Sequence, residues 1–195
     1  MRTAAILWRS THPGPTVVVT IVAFALGLSV GLDAGRLAIL TGSVLLGQVS
    51  IGLSNDVIDA PRDRTIGRRD KPLTADGAPV RAAWISAFVA AIVALALSAA
   101  LGWGLALAHA VFLASGWAYN ARLKSTIWSA ACFVVGFGTF PSLAFLALPD
   151  PRVAPLWAWI AGAAGTIHVA DRVSQQTLYG WGDGPAGRLP QSRAG

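Results

Sequence analysis

Every one of the nine acidic residues in this chain is an Asp, and three of them stand with an Asn in one stretch, Asn55-Asp56-x-x-Asp59-x-x-x-Asp63. On a helix, positions 56, 59 and 63 are i, i+3 and i+7, so their carboxylates share a face, with Asn55 one turn before Asp59. Carboxylates gathered in this way repel one another unless a cation sits among them, and an all-oxygen set favours a hard divalent ion. Mg²⁺ held by one or two protein carboxylates keeps positions for water and phosphate oxygens, so the spacing points to a metal-bound diphosphate. Arg64, Arg68, Arg69 and Lys71 follow and supply cationic donors for the same phosphates. Pro61, lacking an N–H, predicts a kink between Asp59 and Asp63 that disturbs this convergence.

The elements that must hold this stretch are apolar. The 195 residues are 54% hydrophobic and 12% charged, where a soluble domain carries about a quarter charged residues. The net charge of +6 is compatible with nucleic acid or a membrane surface. Placement decides against nucleic acid, because long uncharged stretches separate the charges and no basic face is left for water. A hydrocarbon core about 30 Å thick needs about twenty helical residues, and six segments meet that need, near 16–32, 37–53, 82–101, 105–119, 127–148 and 154–170. The first follows Arg2 and Arg9 like a signal peptide, but its length and the lack of a small-x-small site before Asp33 make it a retained span. Gly27 and Gly31 form a GxxxG, and Ala fills the third span, a composition that lets helices approach closely in lipid. His109 in the fourth span, and Gly136, Gly138 and Pro141 in the fifth, leave the straightness of those two open. Cys132 stands alone in an apolar run and forms no internal disulfide.

Orientation follows from the Lys and Arg residues, which membrane insertion keeps in the cytoplasm. The N-terminus, the second loop, the fourth loop with Arg122 and Lys124, and the tail hold thirteen of the fifteen; Arg36 and Arg152 fall on the other side. As topology signals alone, the basic residues of the second loop need no phosphate to explain them; acids at helical spacing do. The expected fold is thus an all-α, polytopic bundle of about six transmembrane helices in the cell membrane, both termini and the two basic loops cytoplasmic. Residues 1–170 form the membrane domain, and 171–195, polar and Gly-rich, form a disordered tail.

At Asn55, Asp56, Asp59 and Asp63, followed by Arg68 or Arg69 and then Lys71-Pro72-Leu73, the sequence resembles the UbiA superfamily of intramembrane prenyltransferases, whose first motif is N-D-x-x-D-x-x-x-D with basic residues and R-P-[LI]. Lys71 stands where Arg is usual, which keeps charge and loses bidentate phosphate binding. Tyr119-Asn120-Ala121-Arg122-Leu123-Lys124 and Arg9-Ser10-Thr11-His12-Pro13 are similar to further family segments, extending the resemblance over roughly residues 5 to 150. It implies Mg²⁺-dependent transfer of an isoprenyl group from a prenyl diphosphate to a lipophilic, often aromatic, acceptor among the membrane lipids. Asn55, Asp56, Asp59 and Asp63 would hold Mg²⁺, the three Asp being catalytic; Arg68, Arg69, Lys71, Arg122 and Lys124 would grip the phosphates. Tyr119 is either a ring beside the developing cation or a membrane-interface aromatic.

The family has nine helices and a second Asp-rich motif after the sixth. At that place stands His168-Val169-Ala170-Asp171-Arg172, and the next acid is Asp183, so a truncated or frame-shifted member is expected. An inactive chain acting as a lipid-binding or assembly protein is the alternative. The membrane CDP-alcohol phosphotransferases share Asp56, Asp59 and Arg64 with this stretch, but Ala60 and Asp63 replace the Gly and Ala that their motif requires.

Overall fold

A computed structural model describes residues 3–68 and 70–165. Arg69, His168, Asp171, Asp183 and the expected tail lie outside them. The described residues are helical and contain no strand: α1 (Thr3–Ser10), α2 (Pro13–Ser29), α3 (Ala34–Thr65), α4 (Val80–Leu101), α5 (Trp103–Ala121), α6 (Ser129–Thr139), α7 (Ser142–Leu146) and α8 (Leu156–Gly165). Short 3₁₀ turns occupy Pro72–Thr74 and Leu123–Ser125. Three stretches are long and apolar enough to cross a membrane, α3, α4 and 129–146; the pair α1 and α2, bent by 61°, makes a fourth if it is one span. Bulky apolar side chains face outward along α2 and α4, among them Val18, Ile21, Phe88 and Ile92, as lipid-facing helices require. The fifth expected span is interrupted at Phe140 and Pro141, since Pro141 brings no N–H to the helix.

Small residues set the packing. The buried face of α4 is Ala83, Ala87, Ala90, Ala94 and Ser98, a seam at helical spacing along which it lies against α3. The GxxxG is not one packing unit. Gly27 is buried, and a Cβ there would come within 2.6 Å of Leu37, whereas Gly31 has a φ of 81° and turns the chain out of α2. Asp33 then caps α3 by accepting from the backbone N–H of Gly35 and Arg36. The Arg36 side chain pairs with Asp33 and donates to the Ala147 carbonyl at 2.8 Å, tying the start of α3 to the end of α7.

α3 positions the site. Its 32 residues span about 48 Å, well beyond a hydrocarbon core of about 30 Å. The second expected span, 37–53, is therefore only its first part, and the Asp-rich stretch is the same helix carried onward. Helix α3 continues through Pro61 to Thr65, so the proline does not end it between Asp59 and Asp63. Leu73, 1% exposed, plugs into a second core formed by Leu53, Val57, Ala60, Ala83 and Ala87, which returns the loop after α3 onto the helix it has just left.

Candidate functional site

The end of α3, the α1–α2 turn, the loop after α3 and the loop after α5 meet around the Asp-rich stretch. Asp56, 3% exposed, receives two donors on the same oxygen: His12 Nε2 at 2.8 Å and Lys71 Nζ at 2.7 Å from Oδ1. A carboxylate only accepts, so His12 is protonated on Nε2. Lys71 reaches Asp56 because Leu73 is buried two residues on and Arg64 Nη2 donates to the Leu73 carbonyl at 2.9 Å. Asp59 pairs with Lys124, delivered by the turn after α5. Asp63 is buried, and its carboxylate has no hydrogen bond or ion pair among the described residues. Arg68 instead closes bidentately on Asp70, at 2.6 and 3.2 Å, and this bond holds the exposed Asp70 carboxyl below the usual carboxylate range. Arg122 is exposed at the end of α5.

The three carboxylates share a helix face but are claimed from different sides, Asp56 by the α1–α2 turn and the loop after α3, Asp59 by the loop after α5. Among the described residues no three His, Cys, Asp or Glu side chains gather closely enough to hold a metal ion. The expected convergence is thus replaced by ion pairs with the protein's own cations. Every donor to Asp56 and Asp59 lands on Oδ1. Oδ2 of each, the Asp63 carboxylate and Asn55 Oδ1 remain as oxygen donors of the type a hard cation takes, spread along the end of α3 rather than gathered at one point.

A cavity of about 290 Å³ opens beside the cluster. His12 and Asn55 line it and connect it to the charged residues, while Phe112, Tyr119, Phe133 and Phe137 give it an aromatic wall. Tyr119 and Phe133 meet edge-on at 4.9 Å, so Tyr119 is a cavity residue rather than a membrane-interface ring alone. Asn120 fixes the junction: its amide donates to the Ile51 carbonyl and to Ser54 Oγ, each at 2.9 Å, and its oxygen accepts from Asn55 Nδ2 at 3.2 Å. Gly52 lets the α1–α2 turn approach α3, since a Cβ there would stand 2.3 Å from the Thr11 carbonyl oxygen. His12, at φ 53°, is the one non-glycine residue in the left-handed region among those described.

The profile of the UbiA prenyltransferase family matches residues 16–175. The chain belongs to this family. No curated protein and no solved structure matches it significantly. Family membership and the apolar helices make the UbiA chain a membrane protein of the prenyltransferase class. The match begins beyond His12, so the α1 side of the site lies outside the matched residues. Sequence reasoning did not assign His12, Asn120 or Gln48 to the site; His12-Pro13 was visible only as a family-like start, and Asn120 only as the neighbour of Tyr119.

Proposed function

We propose that this UbiA chain transfers an isoprenyl group from a prenyl diphosphate to a lipophilic acceptor within the bilayer. The observation that supports this best is the junction of a charged cluster and an aromatic cavity through His12 and Asn55. In this reading the diphosphate sits at the cluster, where Lys71, Lys124, Arg68, Arg69 and Arg122 supply donors to its oxygens. Asn55, Asp56, Asp59 and Asp63 are the residues that would hold Mg²⁺, whose charge would offset that of the diphosphate. Lys71 and Lys124, now on carboxylates, turn their remaining N–H groups to phosphate oxygens; Asn55 is held in place by Asn120. The prenyl carbon then lies in the cavity, where Tyr119 and Phe133 present ring faces to positive charge and apolar walls exclude water. Six spans place both termini and both basic loops on the cytoplasmic side, and the site with them.

Membranes containing the protein, supplied with labelled isoprenyl diphosphates and an aromatic acceptor with and without Mg²⁺, test this. Metal-dependent transfer that disappears in Asp56→Ala and Asp59→Ala is the expected result; transfer that survives both substitutions overturns it. One observation favours a second reading, an inactive diphosphate- or lipid-binding protein: Asp56 and Asp59 are already paired with the protein's own cations, Lys71 and Lys124. That reading expects Mg²⁺-dependent diphosphate binding without turnover.

A further inference from the structure

Gln48 is 8% exposed, lies on the cavity wall, and its side-chain amide has no hydrogen-bond partner among the described residues. A second unpartnered polar group near this level lies off the cavity: His109 meets Ser98 at 2.7 Å, and its Nε2, buried without a hydrogen-bond partner, packs against Gly47. Gln48, in contrast, lines the cavity, whose walls are largely carbon. An amide on a cavity wall that bonds nothing in the protein is free to pair with an oxygen or nitrogen of whatever fills the cavity.

Gln48 and Asn55 are seven residues apart on α3, which puts them on the same helix face and about 10 Å apart along its axis. The cavity therefore carries two amides along α3, Asn55 beside the charged cluster and Gln48 two turns deeper, with Phe112, Tyr119 and Phe133 beside them; the Thr11, Thr16 and Ser115 hydroxyls on its wall already donate to backbone carbonyls. An isoprenoid tail has no polar atom to offer Gln48. No Lys, Arg, Asp or Glu is among the residues lining the cavity, so a carboxylate at this depth would find no counter-charge.

We infer that Gln48 is the acceptor-recognising residue, and that it selects an uncharged ring compound bearing a hydroxyl or carbonyl oxygen. A primary amide both donates and accepts, so it serves either oxygen type. The flanking rings supply stacking surface for the acceptor's ring. This rests on the prenyltransferase reading for the word acceptor; the recognition itself is measurable without diphosphate or metal.

The test uses the full chain in lipid nanodiscs and three probes with one ring system, 1-naphthol, naphthalene and 1-naphthoate, with binding to empty nanodiscs subtracted. Wild type is expected to bind 1-naphthol about five- to tenfold more tightly than naphthalene, the worth of one hydrogen bond, and 1-naphthoate more weakly than 1-naphthol. Gln48→Leu, and Gln48→Met of similar length, should bind naphthalene as wild type does and lose the preference for 1-naphthol. A preference that persists in either folded variant, or a wild type that fails to prefer 1-naphthol over both other probes, overturns the inference. Prenyl transfer from labelled diphosphate to 1-naphthol separates the two ideas. Absent transfer with an intact, Gln48-dependent preference removes the enzyme reading alone; transfer unaffected by Gln48→Leu removes the role of Gln48 alone.

Discussion

Replacing Asn120 with Leu removes three hydrogen bonds at once while keeping the branched shape of the side chain. Asn120 is 2% exposed; it donates to the Ile51 carbonyl and Ser54 Oγ and accepts from Asn55. At about 1 kcal/mol net for each bond, the sum is about 3 kcal/mol. Ser54 keeps its own bond to the Ile51 carbonyl, so the group left most exposed to loss is the Asn55 amide. For a chain of this size each kcal/mol lowers the melting temperature by about 2–4 °C, giving a fall of about 6–12 °C. Thermal unfolding of the purified protein in detergent, followed by tryptophan fluorescence, reads this directly. A second measurement separates the site from general stability: with Asn55 unheld, affinity for pyrophosphate in the presence of Mg²⁺ should fall about tenfold, well below the melting range. The double variant Asn55→Leu, Asn120→Leu should cost less than the sum of the singles by about 1 kcal/mol, because the two side chains bond each other. A melting temperature within about 2 °C of wild type, or additive single variants, would refute the claim that Asn120 organises this junction.

Leu73→Ala empties a fully buried position and should cost about 2–5 kcal/mol, seen first as faster tryptic cleavage after Arg68 as the loop leaves α3. Gly52→Ala forces the Thr11 carbonyl away from α3, which should destabilise the fold by about 1–3 kcal/mol and abolish prenyl transfer by displacing His12 from Asp56; transfer at the wild-type rate would contradict it. Lys124→Met leaves Asp59 without its partner and should weaken Mg²⁺-pyrophosphate binding about tenfold, measured by calorimetry. Asp70 titrates below the ordinary carboxylate range because Arg68 bonds it, so their pairing is complete at neutral pH and is lost only as pH falls through that depressed value; Arg68→Ala should move the Asp70 titration upward in a carboxyl-carbon NMR experiment.

The sequence revealed most where chemistry and periodicity coincide. Apolar length located α3, α4 and α5 to within a few residues at their N-terminal ends, because lipid imposes one rule on every segment. It misjudged the end of α3, since the polar residues after Leu53 stop the apolar run without stopping the helix, and Pro61 does not end it. The spacing put Asp56, Asp59 and Asp63 on one helix, as α3 does. Their pairing was not legible, because Lys71–Asp56 and Lys124–Asp59 depend on how two loops fold back, which Leu73 and the turn at Leu123–Ser125 decide. Gln48 and Asn120 passed unnoticed because a single amide in an apolar run has no local pattern; only the cavity gives each a meaning.

The unbroken α3 also constrains how such a chain can vary over time. Gln48, Gly52, Asn55 and Asp59 are read from one rod, and each residue advances that rod by about 100° and 1.5 Å. One inserted or deleted residue between Gln48 and Asn55 would swing the entire charged end by a quarter turn or more relative to the cavity. Length changes are therefore confined to the loops, and new acceptor preferences must come from substitutions in place, at positions such as 48, where the change of one side chain leaves the distance to the diphosphate end untouched.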